Sequence, residues 1–113
     1  MTCAAPNLRE DATNAYNPSD GAQVDIAPAE LLTLHERRGR RIFAAAAANG
    51  AQALVLGAFG CGAFRNDPAV VARAYANILP EFRRHFLAIE FAVFCRPVST
   101  WNYDAFASAM RGV

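Results

Sequence analysis

Leu54-Val55-Leu56-Gly57-Ala58-Phe59-Gly60-Cys61-Gly62-Ala63-Phe64-Arg65-Asn66-Asp67-Pro68 decides the fold of this chain. Its opening residues complete the apolar run Ala53 to Leu56, set between a helix stop at Asn49-Gly50 and a glycine. That pattern suits a short strand buried on both faces in a parallel sheet. Its closing pair, Asp67-Pro68, joins a side chain that caps helices to the residue favoured at the first helical position. Between them lie Gly57, Gly60 and Gly62. Glycine permits positive φ and removes the Cβ that would hold a ligand off the backbone. Successive N–H groups then point into one concavity suited to an anion, and the helix start adds its partial positive charge. In open α/β sheets ligands bind beyond the carboxyl ends of the strands, which is where this loop lies. It therefore reads as a phosphate cradle. A tight turn without a ligand is the plain alternative. Phe59 and Phe64, large aromatics among small residues, are suited to flank a sugar or base; Phe64 serves equally well as a core residue. Neither the Walker Gly-Lys-Ser/Thr nor the GxGxxG spacing is present.

Working outward, Pro28 and Glu30 open a helix whose apolar face holds Leu31, Leu34, Ile42, Ala45 and Ala46. Asn49-Gly50 stops it, and Gly39 marks a place where it can break. Pro68 opens a second helix through Val71, Ala74, Tyr75, Ile78, Leu79 and Phe82, which Pro80 should kink or end. Phe86 to Cys95 reads as another buried strand, with Glu90 its only charge. Asn102 is placed to cap a last helix that buries Phe106 and Met110. Met1 to Ala5 reads as the end of a strand, stopped by Pro6. Residues 7–25 form a long loop, beyond the usual ~12–15 residues of structureless connections. The order β, loop, α, β, glycine loop, α, β, α indicates an α/β sheet of about three mostly parallel strands with right-handed crossovers.

The 113 residues make one domain, and 54% hydrophobic with 19% charged residues is ample for a core. A net charge of +1 gives no whole-molecule attraction to nucleic acid or membrane, so no direct DNA binding is expected. All eleven basic residues are Arg, a bias that matches the Ala-rich background. Cys3, Cys61 and Cys95 stand far apart, an odd set with no CxxC and no Cys/His cluster. No metal, cofactor or disulfide framework is expected, and a reduced, cytoplasmic setting is. No apolar run reaches the ~20 residues of a membrane helix, and the N-terminus lacks signal-peptide features.

The loop from Leu54 to Pro68 resembles the second phosphate-binding loop of the microbial-type poly(ADP-ribose) glycohydrolase family. Cys3-Ala4-Ala5-Pro6-Asn7 is similar to that family's strand-end Ala-Pro-Asn segment, and the later elements follow the family's order. The resemblance implies a macrodomain-like three-layer αβα fold, of which this bacterial-type chain matches only the second half. It implies diphosphate contact by the backbone at Gly57, Ala58, Gly60, Cys61, Gly62 and Ala63. Phe64 would then pack on the distal ribose, Asn66 would order the loop and Asn7 would lie near the adenosine. The family's Gly-Gly-Gly segment and adjacent catalytic glutamates have no counterpart here. Glu10, Glu30, Glu36, Glu81 and Glu90 are neither paired nor beside a glycine run, so no catalytic residue is assigned. Glycoside hydrolysis needs a carboxylic acid to protonate the leaving oxygen.

Three functions follow as expectations. The first is a module that recognises ADP-ribose or an ADP-ribosylated protein. The second is one part of a complete hydrolase, its glutamates supplied by a complementing N-terminal half. The third is a homodimeric or larger structural protein with a vestigial loop. Elsewhere, His35 reads as a solvated surface histidine and His85 as a complement to helix carbonyls. Arg37 to Arg41 form a solvated face, with contact to a polymeric anion as the alternative. Trp101 and Tyr103 read as cover for the sheet edge, and Ser19, Ser99 and Ser108 lack a nucleophile-elbow context.

Overall fold

A computed structural model describes residues 1–9 and 24–113. Most of the expected loop at 7–25 lies outside the described residues. The regular elements are α1 (Pro28–Ala48), β1 (Ala53–Leu56), α2 (Pro68–Phe82), β2 (Ala88–Phe91) and α3 (Trp101–Met110), with a 3-10 turn at Arg83–His85.

α1 begins where Pro28 follows an extended Ala27. It ends where the Asn49 backbone N–H and side-chain Nδ2 both donate to Ala45 O and Gly50 turns to φ +76°. The Gly50 and Ala51 N–H groups donate to Ala47 O and Ala46 O, which satisfies carbonyls the last helical turn would otherwise leave open. The helix does not break at Gly39. It buries Leu31, His35, Gly39, Ile42, Phe43 and Ala46, a stripe at intervals of three and four residues. Ala45, expected on that face, is exposed. Gly39 lets α1 approach α2 closely, since a Cβ there would stand 2.5 Å from Ile78 Cδ1.

Asp67 caps α2 by accepting from the Ala69 N–H at 2.9 Å. α2 continues two residues past Pro80 before the chain tightens into the 3-10 turn. Its buried face joins Phe43, Phe82, Phe86 and Phe91 in one aromatic cluster. Tyr75 meets Phe43 and Phe91 edge-on, and Phe82 stacks on Phe43 at 5.3 Å. Burying one such side chain contributes about 1.5–3 kcal/mol.

β1 and β2 pair in parallel, Ala53 with Ala88 through Leu56 with Phe91. Two backbone bonds lengthen the ladder by one step at each end, Leu87 N–H to Gln52 O and Ala92 N–H to Leu56 O, both 2.7 Å. The strand expected over Phe86 to Cys95 is therefore only four residues long. β1 offers no further partner, and Leu87 and Phe94 on either side are exposed. Met1 to Ala5 forms no strand, so the described sheet has two strands where about three were expected. A strand is stable only when its amides are paired, and this segment is held through other contacts. Leu54, Leu56, Ile89 and Phe91 face the helices, while Ala53, Val55, Ala88 and Glu90 are exposed. The α/β class and the partial macrodomain-like architecture hold, with helices packed on one face of a small parallel sheet.

Candidate functional site

The loop leaves β1 at its carboxyl end and enters α2 through the Asp67 cap. Three backbone bonds fold it on itself: Cys61 N–H to Ala58 O, Arg65 N–H to Gly62 O and Asn66 N–H to Gly60 O, all 3.0 Å. The amides of Ala58, Phe59, Gly60, Gly62, Ala63 and Phe64 have no backbone acceptor among the described residues. Cys61, expected to offer its amide to a ligand, uses it to close the turn. Its thiol is pushed up to about 12 by burial and by the nearby Asp67 carboxylate. It is therefore no nucleophile at neutral pH.

The glycines differ in role. Gly60 has φ +78°, and a Cβ there would stand 2.6 Å from Asn66 Nδ2 and 2.8 Å from Ala5 Cβ. Gly62 has ordinary φ and open space on its Cβ side, and a Cβ on Gly57 would meet only Ala92 O at 3.9 Å. Only Gly60 is demanded by the loop's own conformation. Arg65, at φ 56°, is the one non-glycine residue of the described chain in the left-handed region.

Asn66 is the hub. It is 2% exposed, and its Nδ2 donates to Pro6 O at 2.7 Å and to Gly60 O at 2.9 Å. Its Oδ1 accepts from His35 Nε2 at 2.8 Å. These bonds tie the loop to the Ala-Pro-Asn segment and to α1. His35 corrects the reading of a solvated histidine: it is 1% exposed and meets Phe59 edge-on at 6.0 Å. Its partner lies 31 positions away, so helix polarity alone did not reveal it. The signal was the spacing Leu31-His35-Gly39-Ile42, which puts it on the buried stripe.

The N-terminal segment runs beside the loop. Leu8 N–H donates to Phe64 O at 3.0 Å, and Asn7 Oδ1 accepts from the Arg9 N–H at 3.4 Å. Phe64 is half-buried with the Arg9 guanidinium 5.8 Å from its ring centroid. On the other side Asn102, which does not cap α3, donates from Nδ2 to Cys61 O at 3.4 Å. Thr100 is the capping residue, and its hydroxyl donates to Asp104 at 2.6 Å.

Arg38 reaches across from α1 and donates to Ala4 O at 2.9 Å. With Arg37, Arg41, Ile42, Cys3 and Phe59 it lines an open cleft of about 360 Å³ at the edge of the loop. Arg40 points elsewhere, forming a two-pronged pair with Glu81 that links α1 to α2. Glu36 is engaged by Asn77, and Glu90 lies on the exposed sheet face. No group of three metal-ligating side chains occurs among the described residues, and none of their helices is long and apolar enough to cross a membrane.

No protein-family model matches the sequence, and comparison with curated proteins gives no match. Solved structures do match. Poly(ADP-ribose) glycohydrolase from Deinococcus radiodurans in complex with ADP-ribose is 37% identical with a TM-score of 0.68, over 74% of this chain and 34% of that one. The apo form of the same enzyme gives the same values. The Thermomonospora curvata enzyme is 37% identical with a TM-score of 0.65, over 70% of this chain and 30% of that one. The match thus spans about a third of the length of these relatives. Over the stretch it shares with them, the chain is similar in sequence to the microbial poly(ADP-ribose) glycohydrolases and carries part of their macrodomain-like fold.

Proposed function

We propose that this chain recognises ADP-ribose, free or attached to protein, and that the loop from Gly57 to Phe64 receives the diphosphate. The observation that carries this reading is the row of amides at Ala58, Phe59, Gly60, Gly62, Ala63 and Phe64, without backbone partners among the described residues and in front of a capped helix start. Such N–H groups bind anions without needing a cationic side chain. Cys61 supports the turn, and Gly57 keeps the approach to the strand end open. Phe59 and Phe64 offer ring faces to the sugars, and Asn7 stands on the adenosine side. The Deinococcus enzyme seen with ADP-ribose supports the choice of ligand.

Gly62 provides the test. Gly62→Ala meets no atom within 4 Å and needs no positive φ, so its stability should stay within about 0.5 kcal/mol of the parent. Gly62→Val places a branched side chain where the ligand's phosphates would approach. Calorimetric titration with ADP-ribose should show binding to the parent chain and at least a tenfold loss for Gly62→Val. Absence of heat from folded parent protein at millimolar ligand would refute the reading.

A second reading is favoured by the uncovered sheet. Val55 is 69% exposed, on the face of the sheet away from the helices. Leu87 and Phe94, flanking β2, are 85% and 86% exposed. Apolar surface of this kind, beside a β1 edge that is unpaired among the described residues, calls for a cover. The relatives are about three times longer than the matched stretch. In this reading the remainder of a glycohydrolase domain covers the face and brings the carboxylic acid that hydrolysis needs. Val55→Lys should then leave ADP-ribose titration unchanged but abolish complementation by the N-terminal part of a relative, measured as release of ADP-ribose from the polymer. Equal activity with and without the substitution would exclude this face.

A further inference from the structure

His35 belongs to neither the cradle nor any expected catalytic set, yet it is the most deeply buried titratable group at the site. The Asn66 amide orientation decides the state of its ring. Nδ2 faces the carbonyl oxygens of Pro6 and Gly60, which accept only, so Oδ1 must face the imidazole. A carbonyl oxygen cannot donate, and His35 Nε2 therefore carries the proton. Nδ1 is left as a bare lone pair, buried and without a partner among the described residues.

We propose that His35 is the positioning residue of the loop, a neutral Nε2–H imidazole whose bond to Asn66 latches the Gly60 turn to Pro6, and that protonation at Nδ1 releases the latch. The inference rests on the ADP-ribose reading for its consequence in binding, but the latch itself is a property of the unliganded chain. A proton added at Nδ1 leaves the bond to Asn66 intact. It creates a buried N–H with no acceptor and a buried cation, both costly without compensation.

Among the described residues the surroundings offer no remedy. On α1 the charge that acts on the ring is Arg38, which adds repulsion. The faces presented by the loop and the N-terminal segment are Asn66, Phe59 and Pro6, all uncharged. Among the described residues Arg9, Arg65, Asp67, Tyr75 on α2, Cys3 and Cys61 also lie near the loop, and none of them acts on the ring as a counter-charge. Burial accordingly holds the imidazole below its ordinary value, with the Asn66 bond opposing and Arg38 reinforcing the shift. The folded pKa is depressed, so the unfolded chain takes up a proton first as pH falls through about 6.5. Stability and loop order are full above that point and decline as pH drops towards the ring's lower folded value. An open state with His35 in water then gains population, and Phe59, the edge-on neighbour, loses its support.

The experiment follows the imidazole nitrogens and the Gly60 and Gly62 amides by NMR from pH 8 to 5, without ligand, in the parent, His35→Gln and His35→Leu. Parent spectra should show the Nε2–H tautomer and loop amides that shift together with the ring. His35→Gln keeps a donor for Asn66 and cannot protonate in this range, so its loop amides should be insensitive to pH. ADP-ribose affinity of the parent should fall as pH drops from about 6.5 towards the ring's lower folded value, by up to about tenfold per pH unit, and that of His35→Gln should stay within twofold over the same range. His35→Leu should weaken binding at every pH. A ring found in the Nδ1–H tautomer, or a loop whose acid response persists in His35→Gln, overturns the proposal. If His35→Gln does not fold, the parent's tautomer and the coincidence of ring and loop titrations still decide. If the parent binds no ADP-ribose at any pH, the ligand reading fails while the amide titrations still test the latch.

Discussion

Gly60→Ala is expected to cost about 2–4 kcal/mol, from left-handed strain together with overpacking, and to abolish ligand binding through the collapsed loop. The backbone at φ +78° disfavours any Cβ, and this one would press on Asn66 Nδ2 at 2.6 Å and Ala5 Cβ at 2.8 Å. Neither neighbour can yield cheaply. The Asn66 side chain is held by four bonds, to His35, Pro6 O, Gly60 O and Phe64 O, and Ala5 has no rotamer to change. Two other glycines separate the contributions. Gly50→Ala carries the same strain, at φ +76°, with nothing within 4 Å, and should cost about 1 kcal/mol. Gly62→Ala carries neither and should be near neutral. Urea denaturation midpoints at constant slope should therefore fall in the order Gly62→Ala, Gly50→Ala, Gly60→Ala. A Gly60→Ala midpoint equal to that of Gly50→Ala would mean that the contact with Asn66 carries no energy.

What could be read beforehand was what neighbours in sequence decide. The Pro28 start, the Asn49-Gly50 stop, the Asp67 cap and the strand-to-loop switch at Gly57 depend on residues within a few positions, and all stand as expected. Pairing decisions were less legible. The apolar run from Phe86 to Cys95 is long enough for a full strand, but only four residues have a partner. Met1 to Ala5 has the composition of a strand end and no strand beside it among the described residues. At the site, the glycines announced the loop, whereas the buried polar connection that fixes it joins residues 31 and 60 positions apart. His35 was misread because a histidine between charged residues looks solvated. Its companion on the same stripe, Gly39, is small because α2 is close, and two such residues among Leu31 and Ile42 mark a contact face.

Asn66→Ala should cost on the order of 3 kcal/mol, because it orphans buried groups rather than merely removing bonds. Pro6 O loses its donor and His35 Nε2–H loses its acceptor, while Gly60 O keeps the Asn66 backbone N–H. Asn66→Asp is the sharper test of how the amide is oriented. A carboxylate there would turn oxygens towards the Pro6 and Gly60 carbonyls, with nothing to donate. Burial and those facing oxygens raise the folded pKa of the new carboxyl above the unfolded value of about 3.9. Its protonated form can donate to one carbonyl, so the variant's defect should be smallest near pH 4 and grow as pH rises through the raised value. The parent has the opposite slope, since its buried imidazole is harmed by acid. Thermal melts of the two proteins across pH 4 to 8 should therefore converge at the acid end and diverge towards neutrality. Parallel curves would mean that the amide lies the other way round, with its oxygen towards Pro6, and the neutral Nε2–H state of His35 would fall with it.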